Sequence, residues 1–351
     1  MTSATLLPQP LQPADVPWPS DRWPEAELPP GVDRDAVAAY LDRTFADPQP
    51  EETAQTFDLL VVHRGAIVVE RYAEGVGPED TQPSWSAAKS LLHAAVGILV
   101  RDGGLDIHTP APVPEWQSPG DRRAAITIDQ LLHMTPGLRF REDYVDDGVS
   151  DVIKMLFRPG ADDMGAFAAA YPLDHEPDTA YNYSSGTTNI ISAIVKRVVG
   201  GTEEAYRDFL RRELFDPIGM RGAEPRFDAS GTWIGSSFCF CTPRDFARFG
   251  LLYLRDGVWD GRRILPERWV DHARTPAPVQ PPDEAGRGYG AHWWLYHDDL
   301  GTFFAGGYAG QLIMAVPALD LVLVRNGNTP QEKTPRLRAI VHDLIELFRA
   351  A

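Results

Sequence analysis

Lysine and cysteine are both scarce in this chain, and each scarcity narrows the reading. Lysine occurs only at positions 89, 154, 196 and 333, while arginine is used freely. Arginine serves every surface role of a cation, but it cannot give up its proton, so each lysine invites the question of a base. The two cysteines, Cys239 and Cys241, are two residues apart. On a strand they share one face, and they enclose too short a loop for an ordinary disulfide, so a pair of structural free thiols is expected. A metal site there would need further ligands nearby. The nine histidines include no His-Glu-x-x-His, so neither a catalytic metal nor another cofactor is expected.

Long apolar runs are missing too. No stretch reaches the ~18–20 apolar residues of a membrane span, and the segment from Met1 to Pro8 lacks the basic and apolar parts of a secretion signal. A cytoplasmic protein without membrane attachment is the expectation. With 33 basic against 50 acidic residues, formally −17, nucleic acid and anionic membranes are disfavoured as partners.

At 351 residues the chain exceeds one typical core, which points to one large unit or two coupled domains. Residues 1–33 carry eight prolines with Trp18 and Trp23 and read as an extended arm lying on the body. The periodicity predicts a helix over 35–45 and a hairpin of strands 57–63 and 66–72 turning at Arg64-Gly65. Helices are expected from 83 to about 100, over 126–134 with a Thr127/Gln130 capping box, and over 187–199, 203–214 and 245–254. Strands return at 302–305, 311–316 and 321–325, and a helix over 337–348 follows. Strands at both ends with helices between suggest an α/β domain from 34–85 and 240–351, and a mostly helical domain from 86–239.

The most informative stretch is Pro83-Ser84-Trp85-Ser86-Ala87-Ala88-Lys89-Ser90-Leu91-Leu92. Ser86 and Lys89, three apart on a helix, lie on one face. A first-turn serine sits among unpaired N–H groups at the positive end of the dipole, which suits an oxygen that becomes negative. A lysine among alanines and leucines loses proton affinity by desolvation. The pair reads as a nucleophile with its own base; the plainer reading is an N-cap followed by a solvated lysine.

Further stretches extend the pattern. They are Tyr183-Ser184-Ser185 opening the 187–199 helix, Leu131-Leu132-His133-Met134-Thr135-Pro136-Gly137-Leu138, Arg244-Asp245-Phe246-Ala247-Arg248-Phe249-Gly250, and Arg263-Ile264-Leu265-Pro266. With Ser86-x-x-Lys89 they resemble, in the right order from about residue 35 to the end, the serine β-lactamase and penicillin-binding-protein-like hydrolases of the class C-like branch. Glu142-Asp143-Tyr144-Val145-Asp146 is similar to a loop of the 6-aminohexanoate-dimer hydrolases and their family VIII carboxylesterase relatives.

The resemblance implies an α/β protein with a β-lactamase-like fold: an antiparallel sheet flanked by helices, built from both termini, with the catalytic helix at the interface to an inserted helical domain. It implies that Ser86 attacks an ester or amide carbonyl of a small molecule, while Lys89 and Tyr183 share and relay the proton. The oxyanion would be held by the backbone N–H groups of Ser86 and Tyr308. Tyr144, Ser185, Gly307 and Trp294 would contact substrate. Taken alone, Tyr183 and Trp294 also fit core aromatics, and the glycines around Tyr308 also fit a bulged strand edge.

Two departures bear on substrate. Ala305-Gly306-Gly307 stands where β-lactamases and peptidases have Lys-Thr-Gly, removing a cation for a substrate carboxylate, and Ser185 stands where asparagine is usual. Esterase or amidase activity survives both changes; β-lactamase or D-amino-acid peptidase activity is the alternative. A non-catalytic protein that keeps the fold for binding or assembly is the reading from another class. The arm of residues 1–33 could reach a neighbouring subunit, which leaves a homodimer open.

Overall fold

The structure is a computed structural model and describes residues 6–52, 54–143, 150–157, 162–282 and 287–351. Its centre is a seven-stranded antiparallel sheet. In spatial order the strands are Ala66–Tyr72, Gln55–His63, Leu321–Asn328, Gln311–Val316, Phe303–Gly307, Trp294–Tyr296 and Arg287–Tyr289. The hairpin that starts it turns at Arg64 and Gly65, both with positive φ (51° and 82°), the twist a two-residue turn needs to match its strands.

Side chains alternate across the sheet. Leu59, Val61, Leu321 and Leu323 point to one face, covered by Val37 and Tyr40 of helix Arg34–Thr44 and by Leu337, Val341 and Leu344 of helix Thr334–Glu346. Leu60, Val62, Val322 and Val324 point to the other, packed on helices Pro243–Leu254 and Ala88–Arg101 and continuous with the helical half of the molecule. At Gly250 that approach is close: a Cβ there would stand 2.6 Å from Val322 Cγ1.

The local signals fared differently. The Thr127 capping box forms as expected, but its helix is shorter, Ile128–Leu132. The expected 203–214 helix is α-helical over Glu203–Leu210 and continues as a π-turn over Arg211–Phe215. The last sheet strand runs to Asn328 rather than 325. Its added length pairs with Gln55 and Thr56, a tertiary contact that no local pattern encodes.

The arm is seated by its tryptophans: Trp23 is buried and its Nε1–H donates to the Arg244 carbonyl, and Trp18 packs on Trp259. Cys239 and Cys241 are free and buried on one short strand with sulfurs 3.6 Å apart. Among the described residues no helix is long and apolar enough to cross a membrane.

Candidate active site

The serine stands on a forced turn. Trp85 has φ +45°, a left-handed conformation that costs a bulky residue about 1–3 kcal/mol and persists only when its surroundings impose it. They do so on both sides. Ser84 N–H donates to the Cys239 carbonyl, and Cys239 N–H donates back to Ser84 Oγ, each at 3.0 Å. The Trp85 ring is wedged between Phe238 and Tyr308. A single turn, Trp85–Ala87, then leads into helix Ala88–Arg101, which places Ser86 in the first turn as expected. The helix is held from behind by His292, whose Nδ1 lies 3.0 Å from the Lys89 carbonyl, and by Ser90 Oγ, which donates to the His292 carbonyl at 2.6 Å.

Lys89 is 1% exposed. Its Nζ donates to Ser86 Oγ, Ser185 Oγ and the Ser236 carbonyl, each at 3.0 Å, so its three N–H bonds all have acceptors. Burial lowers its pKa to about 8, against an upward pull from Glu142. Glu142 is the charge behind this arrangement: its carboxylate accepts from Ser185 N–H at 2.8 Å and from Ser185 Oγ at 2.6 Å. Ser185 is fully buried. It joins Glu142 to Lys89.

Tyr183 precedes helix Ser185–Val198, whose N-cap Ser184 accepts from Thr187 N–H. Burial raises the Tyr183 pKa, with a smaller lowering effect from the neighbouring Ser86 hydroxyl. Lys89 Nζ sits 4.7 Å from the centre of the Tyr183 ring, over the face rather than along the phenol. Burial thus favours the neutral form of both groups, the protonated phenol and the unprotonated amine.

Strand Phe303–Gly307 runs up to the serine turn, and a Cβ on Gly307 would strike the Ser84 carbonyl oxygen. That close approach explains the glycine and brings Tyr308, 45% exposed, beside Trp85. Ser86, Tyr183, Trp294, Gly307 and Tyr308 line one cleft of about 350 Å³; Trp293 is buried in the core. Tyr144, expected over this cleft, lies outside the described residues. Sequence reasoning missed Glu142, the Ser236 carbonyl, and two arginines of the cleft, Arg287 and Arg338. Only Glu142 had a signal, its place in the loop with Tyr144.

Two other places deserve note. A larger hollow, about 970 Å³, lies between the arm and the body around Trp18 and Arg255, and none of the site residues line it. Behind the serine helix, Asp129, His133 and His272 bring ligand-type atoms within 4.8 Å of one another and could hold a metal ion. Here they belong to a hydrogen-bonded chain: His272 Nε2 to Asp129 at 2.7 Å, His272 Nδ1 to His93 Nε2 at 3.1 Å, and His93 Nδ1 to Tyr253 at 2.8 Å.

The beta-lactamase family profile matches residues 41–346. The chain belongs to the beta-lactamase family. It is 28% identical over 332 residues to a 6-aminohexanoate-dimer hydrolase of Paenarthrobacter ureafaciens, spanning 90% of this chain and 82% of that protein. In structure it is similar to a putative 6-aminohexanoate-dimer hydrolase from Bacillus anthracis, with TM-score 0.73 and 21% identity over 96% of this chain and 89% of the other. It is also similar to a family VIII carboxylesterase, with TM-score 0.67 and 16% identity over 91% and 99%. The protein is thus a hydrolase of the serine beta-lactamase and penicillin-binding-protein superfamily, with the expected α/β architecture.

Proposed function

We propose that the protein hydrolyses ester or amide bonds of a small molecule through an acyl-enzyme on Ser86. The observation that carries this is the buried Lys89 Nζ, 3.0 Å from Ser86 Oγ, with its pKa lowered to about 8. Near pH 7 about a tenth of such a lysine is neutral, enough to act as a base.

In the first step neutral Lys89 takes the Ser86 proton as Oγ bonds to the carbonyl carbon. The oxyanion forms against the N–H groups of Ser86 and Tyr308. Tyr183, beside Ser86 and kept protonated by burial, gives its proton to the departing oxygen or nitrogen and recovers one from Lys89. Water then adds to the acyl-enzyme, loses its proton to the same pair, and releases the acid while Ser86 is reprotonated. The named activities of the similar proteins, a dimer hydrolase and a carboxylesterase, support an ester or amide as the bond cleaved.

The test is intact-protein mass spectrometry after brief exposure to a fluorophosphonate, with Ser86→Ala as control. One adduct that maps to Ser86 and is absent from the variant is expected. No adduct near neutral pH would favour the non-catalytic reading.

A further inference from the structure

Behind the serine helix, five of the nine histidines stand within electrostatic reach of one another: His93, His108, His133, His272 and His292. Two of them converge on a single carboxylate. Asp129 and His133 are four apart at the end of helix Ile128–Leu132, so they share one face. His272 meets them from helix Trp269–Arg274, 143 residues beyond Asp129. Asp129 Oδ1 lies 3.2 Å from His133 Nδ1 and 2.7 Å from His272 Nε2. One ligand-type atom from each residue falls within 4.8 Å of the others. None of the three lines the serine cleft.

Such a donor set suits zinc. Imidazole nitrogens and carboxylate oxygens are ordinary zinc ligands, and bonds of about 2.0–2.2 Å set tetrahedral ligand atoms about 3.3 Å apart. The Asp129–His133 pair already stands near that spacing. The Asp129–His272 pair, drawn together by the proton it shares, has to part by about 0.6 Å. The side chains of Asp129, His133 and His272 are 29%, 8% and 17% exposed, so solvent reaches each of them and supplies a fourth ligand. Burial works against the Asp129 carboxylate, but hydrogen bonds from His133 and His272 hold its pKa below the usual range, and burial lowers that of His272. Both are thus in the unprotonated forms that bind a metal.

The surroundings fit as well. A ligating histidine is ordinarily oriented through its second nitrogen. His272 Nδ1 lies 3.1 Å from His93 Nε2, and His93 Nδ1 lies 2.8 Å from the Tyr253 hydroxyl. Without a metal, the Asp129 carboxylate can only accept, so His272 Nε2 holds the proton and the chain donates from Tyr253 toward Asp129. With a metal on Nε2, each of these imidazoles carries its proton on Nδ1. Both links survive with donor and acceptor exchanged, and no proton leaves the chain. The cost is one hydrogen bond, because His133 Nδ1 also lies 3.0 Å from the Asp129 carbonyl and gives that contact up. Trp269 stacks on the rings of His93 and His272, at 4.6 Å and 4.9 Å, and walls the site with apolar surface.

We propose that Asp129, His133 and His272 form a structural zinc site. It ties helix Ile128–Leu132 to helix Trp269–Arg274 and, through His93, steadies helix Ala88–Arg101 beside Ser86. The site stands whether or not Ser86 is a nucleophile.

Calorimetry tests this on the full chain, stripped with a chelator and titrated with zinc chloride. One ion per chain should bind with a micromolar Kd or tighter, and the Tm should rise with zinc. Magnesium and calcium, which take all-oxygen shells, should do neither. The zinc K-edge absorption spectrum of the loaded wild type should show a nitrogen and oxygen shell with two imidazoles. A sulfur shell would move the ion to Cys239 and Cys241, and fewer than two imidazoles would move it elsewhere; either overturns the proposal. His133→Gln/His272→Gln should bind zinc ~100-fold or more weakly. His342→Gln, which removes the histidine beside Asp298 and Glu346, should bind as the wild type does. Absence of binding, or binding that the double variant keeps, also overturns the proposal. The absorption spectrum needs only wild-type protein, so it decides the matter even where the double variant does not fold.

Discussion

Replacing Glu142 by glutamine is expected to move the ionisation that limits acylation to lower pH. Glu142 Oε1 accepts from Ser185 Oγ at 2.6 Å, and that oxygen is 3.0 Å from Lys89 Nζ, which puts carboxylate and ammonium roughly 5 Å apart. Unit charges at that distance interact by ~3 kcal/mol at an effective dielectric of about 20, equivalent to ~2 pKa units. Glu142 is partly exposed, and solvent screening reduces the expected shift to ~1 unit. The sign is unambiguous: the carboxylate stabilises the ammonium, so its removal lets Lys89 deprotonate more readily, below about 8. Glutamine retains an oxygen for the Ser185 N–H, which keeps the loop in register. The assay is the second-order rate of fluorophosphonate labelling, or kcat/KM for a neutral ester, followed from about pH 5.5 to 9.5. In the wild type the rate should rise with pH through a midpoint near 8, and in Glu142→Gln that midpoint should come ~1 unit earlier. A rise that stays in place or moves to higher pH would refute the coupling through Ser185.

Three further outcomes are expected. Tyr183→Phe should lower kcat/KM by ~100-fold if the phenol relays the proton; a loss under about tenfold would assign it to packing against Tyr289 and Trp294. Gly250→Ala should destabilise the protein by about 1 kcal/mol or more in urea titrations, because overpacking of ~1–3 kcal/mol against Val322 exceeds the helix-propensity gain of ~1 kcal/mol. An increase in stability would contradict the close helix–sheet approach. His292 is held at about 3 by burial, below the ~6.5 of an unfolded histidine, so as pH falls through that window the unfolded chain takes up the proton first. Stability should drop there by up to ~1.4 kcal/mol per pH unit. His292→Gln should flatten that slope, and an unchanged slope would show that other groups carry it.

The elements most legible in the sequence are those whose information is local. The strand over 311–316 and the hairpin turn at Arg64-Gly65 follow from alternation and from a glycine able to take positive φ. Helix ends were less legible, because terminal turns answer to tertiary neighbours, as the π-turn after Leu210 does. The serine and its lysine were legible because three residues of one helix are enough to bring them together.

What the sequence by itself determined, then, is that Ser86 and Lys89 share a helical face in an apolar helix, and that the chain has the ordered motifs of a beta-lactamase-family hydrolase. What only the tertiary structure decided is the state of that pair. Lys89 has a lowered pKa because Ser185 and Ser236, nearly 100 and 150 residues away along the chain, close over it and bury it. Glu142, reached through Ser185, pulls that pKa back up. Helix and strand periods are properties of a few consecutive residues, whereas desolvation and Coulomb fields depend on which distant segments fold against a group.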